Sequence, residues 1–158
     1  MRVFNSIREA VNALTYLFEV QMEDAPIFRD IGEITVSNIV NRTKAGYGVA
    51  EDGALKQRLK PLSENYKIFR QEYSSLLGDR AKIKKSNLTF TGQMLSSIKY
   101  KAKKGSVNIF FNNDRAEYKA YMNERNGRPF FHLSKSELKD VQRILERARD
   151  EYITRFFS

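Results

Sequence analysis

The stretch that decides the fold is Ile98–Phe111, IKYKAKKGSVNIFF. Ile98, Tyr100 and Ala102 alternate with Lys99, Lys101 and Lys103, and after Lys104-Gly105 the alternation resumes as Val107, Ile109 and Phe111. Successive side chains of a strand point to opposite faces, so this period of two separates an apolar set from a basic set. Two such runs around a Gly-containing turn predict an antiparallel β-hairpin with one buried face and one cationic face.

Upstream of the hairpin the spacing is helical. Phe4, Ile7, Val11, Leu14 and Phe18 recur at intervals of three and four and predict a helix over about residues 3–22. Pro26 can open a second helix at its first turn, where the missing N–H does no harm. Ile27, Ile31, Ile34 and either Asn38 or Ile39 carry that helix to about Thr43, and the short link EDA folds the pair together. Gly46, Gly48 and Gly53, with Pro61 at the end, make Lys44–Leu62 read as a loop. Ser63 is an N-cap for a helix bearing Tyr66, Phe69, Tyr73 and Leu76 or Leu77; Gly78 closes it, and the basic loop Asp79–Lys85 follows. Thr89 or Thr91 can cap a short helix through Met94, Leu95 and Ile98.

Downstream, Asp114–Asn123 reads as helix or extended arm, and Gly127-Arg128-Pro129 punctuates the chain before a short extended piece, Phe130–Leu133. Ser134 with Glu137 has the spacing of a capping box. The helix it opens places Leu138, Val141, Leu145, Ala148, Tyr152 and Phe156 on one stripe and runs close to the C-terminus. The expected architecture is α+β in one domain over residues 1–158: an N-terminal helical pair, a middle helix, a β-hairpin in a small antiparallel sheet, and a long C-terminal helix. With eleven Phe, eight Tyr and no Trp, aromatic rings are expected to carry much of the core.

Composition narrows the chemistry. The first segment is broken by Asn5, Arg8, Glu9 and Asn12, so it reads as neither a signal peptide nor a membrane span. There is no Cys, hence no disulfide framework. The net charge of +9 favours acidic partners, and it gathers in Asp79–Lys85 and Lys99–Lys104. Lys82, Lys84, Lys85, Lys101, Lys103 and Lys104 are therefore the candidate partner-binding residues.

No catalytic set stands out, and an enzyme is not expected. His132 is the single His and has no Cys to activate. The pairs Glu23/Asp24, Glu51/Asp52 and Asp150/Glu151 are adjacent in sequence and do not share a helix face, which makes them poor acid–base dyads. Asp114 with Glu117-Tyr118-Lys119 could suggest a metal nuclease, yet Glu-x-Lys recurs at Glu137-Leu138-Lys139, as chance allows in so charged a chain. No phosphate-cradling Gly-rich loop is present, so no cofactor or metal is expected. The alternative reading is a basic, non-specific DNA-binding module built on the hairpin lysines. Against it, no helix-turn-helix or zinc motif is visible, and Tyr100 alternates away from the lysines and cannot stack on a base.

The order of several short motifs resembles the virion-morphogenesis proteins of tailed phages, which include tail-completion and neck proteins. These are Asp30-Ile31-Gly32, Asp52-Gly53, Pro61-Leu62-Ser63, then Leu88-Thr89-Phe90-Thr91-Gly92-Gln93-Met94-Leu95-Ser96-Ser97-Ile98, followed by Arg128-Pro129-Phe130-Phe131 and Leu133-Ser134. The resemblance covers about residues 27–145, with Thr91, Gly92, Arg128, Pro129 and Phe130 as its structural motif residues. It departs from the family pattern in having no Trp, and in carrying Tyr118–Glu124 where members often have His-x-x-Gly. The resemblance implies a structural protein of the head–tail junction, assembled as a homo-oligomeric ring. It also implies docking to other neck, portal-adaptor or tail proteins; whether the lysines also make non-specific contact with packaged DNA stays open, contacts between proteins are favoured, and no membrane partner is expected. Its implied location is the virion, and the host cytoplasm during assembly.

Overall fold

The computed structural model describes residues 26–49, 56–73, 88–89, 91–103 and 105–157. The helix expected over 3–22, Asp52-Gly53, Gly78 and the basic loop Asp79–Lys85 lie outside the described residues. The architecture is α+β, with five helices and two two-stranded antiparallel sheets among the described residues. In chain order these are α1 (Ile27–Lys44), β1 (Tyr47–Val49), β2 (Lys56–Arg58), α2 (Glu64–Glu72), α3 (Gln93–Ser96), β3 (Ile98–Lys103), β4 (Ser106–Phe111), α4 (Asp114–Arg125) and α5 (Lys135–Phe157).

The hairpin forms in the register that the alternation implies. Ile98 pairs with Phe111, Tyr100 with Ile109 and Ala102 with Val107, while Lys99, Lys101 and Lys103 oppose Phe110, Asn108 and Ser106 on the outer face. Gly105 supplies the positive φ (68°) of the two-residue turn, a conformation that glycine adopts without steric cost. Ile98 belongs to β3 and not to the short helix before it, because the ladder claims it: Asn112 N–H donates to Ser97 O (2.9 Å) one step below the Ile98–Phe111 pair.

α1 lies against the apolar face of this hairpin. Its buried stripe runs Ile27, Ile31, Thr35, Ile39 and Thr43, every fourth residue, with Pro26 at the N-cap one position ahead of the first turn. Ile34, expected on the stripe, is 38% exposed. The cause is Gly32. The Tyr100 ring sits so close that a Cβ at residue 32 would come within 2.6 Å of Cγ. Residue 34 is about 200° further round the helix and is turned outward. Alanine in a helix interior normally stabilises by up to ~1 kcal/mol over glycine. Here Gly32→Ala is expected to cost about 1–3 kcal/mol through overpacking, and Gly32→Ala with Tyr100→Leu should recover most of that in thermal melts.

The segment Lys44–Leu62, read as a loop, contains a ladder: Tyr47 pairs with Arg58, Gly48 with Gln57 and Val49 with Lys56. Three residues with a central glycine carry little strand signal. Tertiary bonds hold the ladder instead, from Val49 N–H to Pro129 O (3.1 Å) and from Leu59 N–H to Gly46 O (3.0 Å).

Among the described residues the core is mainly aliphatic, not aromatic. Ile39, Leu59, Met94, Leu95, Ile98, Ala116, Ala120 and Phe130 form it, with Phe111 and Phe131 packed on its edge at 4.6 Å between rings. On α2, Ser63 Oγ accepts from Tyr66 N–H as an N-cap. Tyr66, Phe69 and Tyr73 nonetheless form a half-exposed ring ladder, and Arg70 is the buried side chain. α4 is a helix and not an extended arm, capped by Asn113 Oδ1 accepting from Ala116 N–H (2.9 Å). Phe130–Leu133 pairs with no strand among the described residues. Along α5, Val141, Leu145, Ala148 and Tyr152 are half-buried, while Leu138 on the expected stripe is 50% exposed.

Candidate functional site

Of the motif residues, Arg128, Pro129 and Phe130 sit where the α4–α5 connection crosses β1 and α1, while Thr91 and Gly92 stand at the start of α3. Gly127 turns the chain with a φ of 73°. Arg128 then donates from Nε to Lys60 O (3.1 Å) and from Nη2 to Pro61 O (3.0 Å), fixing the entry to α2. Pro129 O accepts from Val49 N–H, and Phe130 is fully buried in the core. Thr91 Oγ1 accepts from Gln93 N–H (3.4 Å) from the position before Gly92, which is itself the N-cap of α3. Gly92 beside it has a φ of 71°, and a Cβ there would meet nothing within 4 Å. Its requirement is conformational, not steric.

Arg42 binds this connection to α1, and the sequence did not single it out. Its Nη1 pairs with Glu137 Oε2, and its Nη2 donates to Phe130 O and His132 O, both at 2.7 Å. The two side chains are 2% and 5% exposed. Burial pulls the Arg42 pKa below its ordinary value, and the Glu137 charge works against that pull. Glu137 Oε2 also accepts from Ser134 N–H (2.7 Å) and Ser134 Oγ (2.8 Å), completing the capping box. Nε of Arg42 has no acceptor among the described residues. With these donors on Glu137 Oε2, the pair acts as a structural clamp. A charge at position 42, on the buried side marked by Thr35 and Ile39, was the sequence signal for it.

Of the candidate partner-binding lysines, Lys101 and Lys103 stand exposed on the outer hairpin face with Lys99. Side chains two apart on a strand are about 6.8 Å apart, so the three make a regular cationic row. Lys82, Lys84, Lys85 and Lys104 lie outside the described residues. His132 is half exposed, with Nε2 3.5 Å from Glu124 Oε1. Asp114 and Glu117 are exposed on α4. Among the described residues no group of three or more His, Asp or Glu side chains could hold a metal ion, and no helix is long and apolar enough to cross a membrane.

A polar recess of about 280 Å³ opens at the foot of the hairpin, between α3 and α4. Ser97, Asn112, Asn113, Arg115 and Lys119 stand around it, over Met94 and Ala116. α4 also presents Tyr118 and Tyr121 to solvent, 64% and 58% exposed. The sequence reading missed Arg115 and met Lys119 only in the Glu-x-Lys run, since their nearness to Ser97 depends on α4 packing through Ala116 and Ala120 onto the core that holds Met94 and Leu95. No family model, curated protein or solved structure matches this chain.

Proposed function

We propose that the chain is a structural protein of the tailed-phage head–tail junction, a neck or tail-completion component that assembles as a ring and docks to adjoining virion proteins. The observation that carries this reading is the place of the motif residues behind the family resemblance. Gly32 against Tyr100, Ser63 as a cap, the Thr91-Gly92 turn, Arg128 on two carbonyls, buried Phe130 and the Ser134 box are all fold-holding contacts. Motifs spent on a rigid frame suit a protein whose work is assembly, since shape-complementary docking rewards a preorganised surface. Head-to-tail contacts between copies close into cyclic symmetry. Its partners are further copies and other neck, portal-adaptor or tail proteins, with no cofactor and no enzymatic step.

The exposed row of Lys99, Lys101 and Lys103 is complementary to an acidic partner surface. Changing Lys101, Lys103 and Lys104 to Glu is expected to leave the circular dichroism spectrum unchanged, because Lys101 and Lys103 lie on the exposed face. The same change should weaken ring formation or particle attachment by about tenfold or more, as like charges meet across the contact. Sedimentation of the purified variant and an in vitro tail-joining assay read the two effects. The alternative, a basic DNA-binding module, requires the opposite: assembly untouched, with tight DNA binding at physiological salt lost in the variant.

A further inference from the structure

We propose that the recess between α3, the foot of the hairpin and α4 is a binding site for a phosphate group. Three separate elements build it, and its rim carries two cationic side chains and side-chain amides. Arg115 and Lys119 sit one turn apart on α4 and flank the opening. Residues four apart on a helix are neighbours, so two cations there repel each other unless an anion lies between them. Among the described residues neither side chain makes an ion pair or a hydrogen bond.

No carboxylate lines the recess; Asp114 and Glu117, the acids of the first turn of α4, are not part of its wall. Asn113 Nδ2 donates to Asn112 Oδ1 (2.9 Å), which leaves the Asn112 amide N–H₂ as an uncommitted donor at the rim. A guanidinium fork, an ammonium group and a side-chain amide together suit a multi-oxygen anion, because charge-assisted donors in a fixed arrangement bind phosphate oxygens well. The volume of about 280 Å³ holds a phosphate with part of an attached group. Both an inorganic phosphate ion and a backbone phosphodiester of nucleic acid carry this chemistry.

The test is a two-dimensional amide NMR titration of the whole chain with sodium phosphate, with sodium chloride at matched ionic strength, and with a short single-stranded oligothymidylate. Phosphate is expected to produce saturable shifts at Ser96, Ser97, Asn112 and Asn113 that chloride does not reproduce. Arg115→Gln with Lys119→Gln should weaken that binding by about ten- to a hundredfold, as expected when charged hydrogen-bond donors are lost. Lys101→Gln with Lys103→Gln should leave phosphate binding unchanged. Lys119→Glu alone, which adds a carboxylate to the rim, should abolish it.

If the oligonucleotide shifts the same amides at lower concentration than phosphate does, the source is a nucleic-acid backbone. If only inorganic phosphate shifts them, the source is the free ion. Shifts that fail to saturate, that chloride matches, or that survive in both the Arg115/Lys119 variant and Lys119→Glu would overturn the site.

Discussion

Glu137→Ala is expected to destabilise the fold by about 3–5 kcal/mol, the usual cost of leaving one member of a buried ion pair without the other. Arg42 would stay charged in a site where its partner is 5% exposed, and two carbonyls cannot replace a carboxylate. The loss also removes the acceptor for Ser134 N–H at the start of α5. The pair need not be strongly stabilising in itself, since well-packed apolar replacements of buried pairs are often neutral. The double change Arg42→Met with Glu137→Leu should therefore recover most of the stability lost in the single variant. The exposed pair Lys67–Glu64 is the control, and Glu64→Ala should cost less than about 1 kcal/mol. Urea unfolding of the four proteins measures all of this. A loss below about 1 kcal/mol for Glu137→Ala would mean that water reaches the clamp.

Gly48→Ala should be the most damaging of the glycine changes. A Cβ at residue 48 would fall against the backbone oxygen of Pro129 and 2.8 Å from Leu59 Cδ2. The main-chain oxygen cannot swing aside as a side chain can. Relief requires β1 to part from the 128–130 segment, which breaks the bond from Val49 N–H to Pro129 O in a buried setting. Overpacking contributes about 1–3 kcal/mol and the orphaned buried groups about 1–3 kcal/mol, for a combined loss of roughly 2–6 kcal/mol. Gly92→Ala is the comparison, because nothing crowds that site and only its left-handed φ opposes a side chain, at about 1–2 kcal/mol. Thermal melts rank the two, and hydrogen exchange at Val49 reports the broken contact. A smaller loss at Gly48 than at Gly92 would show that β1 can move away freely.

The residues whose fate was legible in the sequence are those governed by local rules. Alternation at Ile98–Phe111 set the strand faces, and Gly105 set the turn, because side-chain direction in a strand follows from position alone. Ser63, Ser134 and Glu137 announced their helices because a cap needs only an acceptor at the right offset from a free N–H. The exposure of Lys101 and Lys103 came with the same alternation. Tertiary structure decided the rest. α1 could present several stripes of similar apolar content, and the Gly32–Tyr100 approach selected one and exposed Ile34. β1 and β2 carry too weak a pattern to read, and the bond that anchors them runs to Pro129, far along the chain. The Arg42 clamp joins residues 95 apart, and the recess joins α3, the hairpin foot and α4, so neither leaves a periodic trace in the chain. Periodicity and capping are properties of a few neighbouring residues, whereas close approach and charge pairing depend on which surfaces packing brings together.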